Sequence, residues 1–180
     1  LGMASFTTAG LNGAVLQMFN HGISSAMLFL LVGVIYDRAH HRWIVKPDGS
    51  RGFGGIAAVV PVYTGVFAVA LFSALGLPGL NGFISEALVF LGAFSVPKYQ
   101  GYVIVGSIGI VLGAAYLLWM FMRVFLGPLN EEYKDLQDMT WREKGCLAPL
   151  LILCVVLGVY PKPVLDLMGQ TVAKLLTLFS

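Results

Sequence analysis

Between Arg51 and Lys98 the sequence carries one formal charge, Glu86. A charged side chain near the centre of a bilayer costs a few kcal/mol or more, so a lone carboxyl in an apolar stretch marks an ion or proton path by default. Burial favours its protonated form, whereas the positive end of a helix dipole favours the ionised one. A carboxyl balanced between the two changes protonation when a nearby charge moves. The competing reading is a neutral or paired glutamate that fastens helices together. His21, in Met18-Phe19-Asn20-His21-Gly22-Ile23-Ser24-Ser25, is the second candidate. An imidazole titrating near neutrality passes protons along water within a bundle, and Asn20, Ser24 and Ser25 supply hydrogen-bonding neighbours. Its alternative is a neutral histidine bridging two helices.

The remaining reactive side chains suggest less. His40 and His41 lie in a charged loop and read as solvated. Cys146 and Cys154 stand eight apart in one apolar run, without the several ligands at short spacing that a metal site needs or the close, facing side chains of a disulfide. Both read as small core residues. No CxxC, GxGxxG, P-loop or HExxH pattern occurs, so catalytic, cofactor-binding and metal residues are none in this reading. Tyr63, Thr64, Ser73, Ser85 and Tyr116 are read as structural hydrogen-bonding groups. Gly33, Gly106 and Gly113 are read as close-packing positions between helices. Trp43, Tyr99, Tyr102 and Trp119 are read as interfacial anchors.

The elements that must hold Glu86 and His21 follow from where charge and helix breakers fall. Residues 1–36 contain no Asp, Glu, Lys or Arg, and a span over 11–36 is long enough to cross a bilayer. A polar loop, 37–52, follows. After a short interfacial helix from Phe53 to Val60, ended by Pro61, the stretch 62–96 is interrupted by Gly76-Leu77-Pro78-Gly79-Leu80-Asn81-Gly82. Proline removes a backbone donor and glycines favour unwound chain, so Gly76, Pro78, Gly79 and Gly82 break the helix at 76–82. Each half is roughly 21 Å long, too short to cross a core of about 30 Å alone. End to end they form one discontinuous span; a tight two-helix hairpin is the rival arrangement. Broken backbone at membrane depth survives only where it packs in protein or lines a wet cavity, and such breaks are functional features. A third span, 101–123, a polar loop, 127–144, a fourth span, 145–162, and a C-terminal helix, 164–179, complete the chain.

The fold expected is an all-α polytopic transmembrane helix bundle of about four spans, one discontinuous. Composition agrees: 58% of the 180 residues are hydrophobic and 11% charged, with a mean hydropathy of +0.84. That leaves too little polar surface to coat a soluble globule. A net charge of +2 offers no basic face for nucleic acid. The loops after the first and third spans share a side and hold Arg38, Arg42, Lys46, Arg51, Arg123, Lys134, Arg142 and Lys144, against Lys98, Lys162 and Lys174 opposite. The richer side is expected to be cytoplasmic, with the C-terminus outside. Leu1 stands in apolar sequence without a signal-peptide pattern, and the chain reads as the C-terminal part of a longer protein.

Phe6-Thr7-Thr8-Ala9-Gly10-Leu11-Asn12-Gly13-Ala14, Gln17-Met18-Phe19-Asn20-His21-Gly22, Leu28 through Arg38, Gly76 through Glu86, Leu88 to Phe94, Arg123-Val124-Phe125-Leu126-Gly127 and Gly158-Val159-Tyr160-Pro161 occur in that order. Over nearly the whole chain they resemble the antiporter-like chain M (chain 4) family of proton-pumping NADH:quinone oxidoreductase, respiratory complex I. The resemblance implies the last four of about fourteen helices in a fold of inverted repeats. It implies that Glu86 is the ionisable residue of the broken helix near the outward proton outlet. The sister chains have lysine there, so the glutamate favours the chain M family. His21 would belong to the central hydrophilic axis. The family's other channel residues, a glutamate–lysine pair and a central lysine, lie upstream of Leu1.

The resemblance further implies a translocase subunit of an energy-transducing inner or plasma membrane. Its partners would be other complex I membrane subunits, including the sister chains, with lipids and no nucleic acid. NADH, FMN, iron–sulfur clusters and quinone would belong to the complex, with no cofactor or redox centre in this chain. The alternative is a related subunit of a multisubunit cation/proton antiporter or membrane-bound hydrogenase. A purely structural helical scaffold, with Glu86 as a packing residue, is the reading from a different class.

Overall fold

The computed structural model describes residues 1–178. It contains six α-helices, α1 Thr8–Ala39, α2 Pro61–Ala74, α3 Asn81–Phe94, α4 Gln100–Phe125, α5 Trp141–Val159 and α6 Lys162–Thr177, and among the described residues no β-strand. The predicted C-terminal helix ended at Phe179, which lies outside the described residues.

Helix α1 is the axis. Thr7 caps it by accepting from the Gly10 amide, and His40, in the left-handed region, ends it by donating to the Tyr36 carbonyl. Its 32 residues span about 48 Å, beyond the roughly 30 Å of a hydrocarbon core. Helices α2 and α3 have 14 residues each and neither spans alone. Their contacts with α1 run in one direction. Gly92 lies against Gly10, and Val89 and Leu88 against Gly13. Ser85 bonds Gln17, Asn81 bonds Asn20, and the Tyr63 hydroxyl donates to the Leu31 carbonyl. Both half-helices therefore lie antiparallel to α1 and follow one another along it, end to end and not folded back as a hairpin. The expected helix over Phe53–Val60 is a single 3-10 turn, Ile56–Ala58, because Pro61 opens α2 directly behind it.

By length and hydropathy α1 and the stretch Pro97–Phe125 each suffice to cross a membrane. Helices α5 and α6 do so only as a pair bent by 69° at Tyr160–Pro161. Helix α5 begins at Trp141, earlier than the polar sequence suggested, because Thr140 and Glu143 form a capping box that starts the helix inside the charged loop. The core gathers where α1, α2, α4 and α5 meet, with Tyr63, Phe67, Phe121 and Phe125 in mutual ring contact and Leu31, Met27 and Cys154 fully buried. Cys146 is exposed, so of the two cysteines only Cys154 is a core residue.

The close-packing glycines are not the expected ones. A Cβ at Gly33 or Gly106 would meet nothing within 4 Å, and one at Gly113 only the Tyr116 ring. Close approach is instead made at Gly10, Gly13, Gly92 and Gly158. A side chain on Gly13 would lie 2.6 Å from the Val89 backbone nitrogen, and one on Gly158 would strike the backbone of Gly79 and Leu80. A glycine in an apolar helix shows that a backbone could approach; which one does depends on the neighbour.

Candidate functional site: the helix break and its carboxylate

The break is ordered by hydrogen bonds that its own residue types dictate. Leu75 ends α2, and Gly76 follows with φ +67°, a conformation glycine adopts without steric cost. The Leu77 amide donates to the Phe72 carbonyl at 3.0 Å and the Gly76 amide to the Ser73 carbonyl at 3.2 Å, the paired closure of a Schellman motif. Leu77-Pro78-Gly79-Leu80 then turns, with Leu80 donating to the Leu77 carbonyl at 3.0 Å and Gly79 at φ +93°. Proline followed by a positive-φ glycine is the signature of a type II turn. Gly82 returns against the Ser73 carbonyl, leaving no room there for a Cβ. Gly76 and Gly79 thus occupy positions that call for glycine, and Pro78 one that favours proline; Gly82, expected in the break, is instead the second residue of α3, where its lack of a side chain allows the close approach to Ser73.

Glu86 stands one turn into α3, half-buried. Its carboxylate lies over the backbone of Gly76, where an added Cβ would come within 2.5 Å of Oε2. Among the described residues it forms no side-chain hydrogen bond or ion pair. It borders an open groove of about 330 Å³ between the break and α4, with Ala74, Leu75 and Phe90 on one wall and Gly106, Gly109 and Gly113 on the other. The three glycines open the α4 wall of the groove between the side chains of Ile110, Tyr116 and Leu117. Tyr116 is the other titratable group lining it.

His21 lies on a different face of α1. It is exposed, and its ring nitrogens face the Ser25 hydroxyl one turn along, with Nε2 at 3.1 Å. No hydrogen bond among the described residues links it to Glu86. Its neighbour Asn20 points the other way, into the contact with α3.

There the structure contains a polar cluster that reading along the chain did not assemble. The Asn20 carboxamide donates to the Asn81 carbonyl at 2.7 Å and to the Ser85 hydroxyl at 3.1 Å. Asn81 Nδ2 donates to the Asn20 carbonyl at 3.4 Å, and Ser73 donates its hydroxyl proton to Asn81 Oδ1. Ser85 donates to Gln17 Oε1. Asn20, Ser73, Asn81 and Ser85 are each at most 1% exposed. The available signal was spacing: Gln17 and Asn20 are three apart on α1, and Asn81 and Ser85 four apart on α3, so each pair shares a helix face.

A second polar cluster caps the opposite end of α2. Asp138, in the loop before α5, accepts from the amides of Val62 and Tyr63, both at 2.9 Å, and of Met139 at 2.7 Å. Burial alone would push its carboxyl up, but these amides outweigh it and hold the group below the usual carboxylate range. Arg38 grips both Glu143 oxygens at 2.9 and 2.8 Å and donates to the Asp138 carbonyl at 3.2 Å. The charged loop is therefore tied to the ends of α1, α2 and α5. Among the described residues no three His, Cys, Asp or Glu side chains are grouped to hold a metal ion.

Residues 1–113 match the family model described as NADH:quinone oxidoreductase/Mrp antiporter, TM. The NADH-quinone oxidoreductase subunit M of Rhodobacter capsulatus is 42% identical over 176 residues, 97% of this chain and 33% of that protein. That of Mycobacterium tuberculosis (strain H37Rv) is 41% identical, over 98% of this chain and 30% of that protein. The chain thus spans about a third of the length of these relatives. Among solved structures, respiratory complex I from Thermus thermophilus with bound NADH superposes with a TM-score of 0.81 at 27% identity, over 97% of this chain and 36% of that one. The Mrp complex from Dietzia sp. DQ12-45-1b gives the same TM-score at 19% identity, over 98% of this chain and 40% of that one, a likeness of fold alone. Family match, relatives and fold agree with the apolar helices and the broken span: the chain belongs to the NADH:quinone oxidoreductase/Mrp antiporter transmembrane family.

Proposed function

We propose that the chain is a proton-conducting part of an antiporter-like membrane subunit of NADH:quinone oxidoreductase, and that it works beside sister subunits in an energy-transducing membrane. The observation that carries this reading is Glu86: a half-buried carboxylate with no side-chain partner among the described residues, beside a helix break and an open groove. A carboxyl so placed gains or loses a proton without breaking a salt bridge, and the unwound backbone beside it gives water polar groups to bind. In this reading Glu86 loads a proton when charge changes along the membrane axis and releases it toward the outer side. His21 relays protons through water on the far face of α1. NADH, FMN, iron–sulfur clusters and quinone act in other subunits, and this chain supplies the path for protons.

The C-terminus is assigned to the outer side, on the excess of Lys and Arg in the loops after α1 and α4. A cysteine replacing Lys174 in the full-length protein should react with a membrane-impermeant maleimide added to intact cells; protection there, with reaction only in inverted vesicles, reverses the topology.

The function is tested in membranes lacking the full-length protein and in membranes where it is restored. Restoration should bring back NADH-driven, quinone-dependent proton uptake by inverted vesicles. Restoration of sodium-dependent proton exchange without any NADH-driven uptake would instead assign the chain to a cation/proton antiporter.

A further inference from the structure

We infer that Asn81, held by Ser73 and Asn20, is a positioning residue that aims Glu86 into the groove; this rests on the role proposed for Glu86. The Schellman closure and the Pro78-Gly79 turn shape residues 75–80, and close backbone contacts at Gly13 and Gly92 hold α3 along α1. At the start of α3 the Asn81 carboxamide adds a side-chain tie to both neighbouring helices, one from each of its ends. Its Oδ1 accepts from Ser73 on α2, while its Nδ2 donates to the Asn20 carbonyl on α1. Asn20 answers with its own amide, on the Asn81 carbonyl and on the Ser85 hydroxyl.

The consequence reaches Glu86 through helix geometry. Ser85 is pinned to α1 by Asn20 and Gln17. Successive residues on an α-helix are rotated by about 100°, so pinning Ser85 inward fixes Glu86 on the adjacent face, toward the groove and α4. On its other side the carboxylate is stopped by the Gly76 backbone. The cluster is fully buried, so water does not replace a lost partner cheaply, and each hydrogen bond acts where its loss is felt. No residue of the cluster carries a formal charge. The effect proposed for it runs through the placement of Glu86. Among the described residues that line the groove, the other titratable side chain is Tyr116 on the facing wall.

The test uses the assembled complex in inverted vesicles, carrying Asn81→Ala, Ser73→Ala or Ser73→Thr in the full-length chain, each alone and with Glu86→Gln. Proton uptake per NADH oxidised is followed against pH, normalised to the amount of assembled complex. Asn81→Ala and Ser73→Ala should move the midpoint of the uptake profile by about half a pH unit or more. Ser73→Thr, which keeps the hydroxyl, should restore it. Neither alanine variant should change uptake further once Glu86 is glutamine. An unchanged midpoint with uptake falling only in step with assembly, while Glu86→Gln abolishes uptake, overturns the positioning role and leaves that of Glu86 standing. Full uptake in Glu86→Gln overturns both. If Asn81→Ala fails to assemble, the two Ser73 variants decide the matter by the same readouts.

Discussion

Gly13→Ala is the smallest change that should separate the two helices on which the site depends. At Gly13 the α1 backbone touches α3: an added Cβ would lie 2.6 Å from the Val89 nitrogen and 2.8 Å from Leu88 Cβ, whereas ordinary contact begins at 3.4 Å. The nearest obstacle is backbone, so a rotamer change does not relieve it, and α1 must retreat by about 0.8 Å locally. Retreat is opposed two turns away, where Asn20 donates to the Asn81 carbonyl at 2.7 Å, and on the other side, where Gly92 sits against Gly10. Overpacking of this kind costs about 1–3 kcal/mol, offset by roughly 0.5–1 kcal/mol from replacing glycine with alanine inside a helix. A net loss of about 1–2 kcal/mol is expected. Gly33→Ala on the same helix meets nothing within 4 Å and should keep only the helix-propensity gain. The assay is the thermal midpoint of the full-length protein in detergent, with the two substitutions compared side by side. Equal midpoints would refute the backbone contact between α1 and α3.

Asp138→Ala removes the acceptor that caps α2 from the loop and should cost about 1–2 kcal/mol at neutral pH. Because the native carboxyl is held below its ordinary value, its stabilisation is present above the usual carboxylate range and is lost as pH falls through the native value. The thermal midpoints of wild type and Asp138→Ala should converge below about pH 4, and a gap that persists unchanged would contradict the capping role. Arg38→Ala leaves Glu143 without its bidentate partner and should cost about 2 kcal/mol. Arg38→Lys should recover little of it, since lysine lacks the planar fork. Additive losses in the Arg38→Ala, Glu143→Ala double variant would show that the pair is not coupled.

Much of this architecture was legible along the chain because its signals are local. Pro78 between Gly76 and Gly79 cannot sit in a continuous helix, so the break declared itself, and Glu86 stood out by charge alone. The charged loop misled by a few residues at its end, since Thr140 and Glu143 use polar chemistry to begin α5. The packing of α1 on α3 was less visible. Gly10, Gly13 and Gly92 do not differ in type from Gly33 or Gly106, and only the partner across the interface separates contact from open space. The cluster of Gln17, Asn20, Ser73, Asn81 and Ser85 joins residues up to 68 apart, and each alone reads as one more polar side chain in a helix. His21 was singled out for its imidazole, whereas the neighbouring Asn20 makes the buried contacts.

The most direct test of the proposed proton path is Glu86→Gln in the full-length chain, with Glu86→Asp beside it. NADH-driven proton uptake by inverted vesicles is measured together with quinone-reductase rate and the amount of assembled complex. The glutamine keeps the shape and loses the titratable proton, so uptake and coupled turnover should fall while the complex remains assembled, and the aspartate should retain part of both. Uptake and turnover equal to wild type in Glu86→Gln would make this carboxyl a packing group and contradict the account.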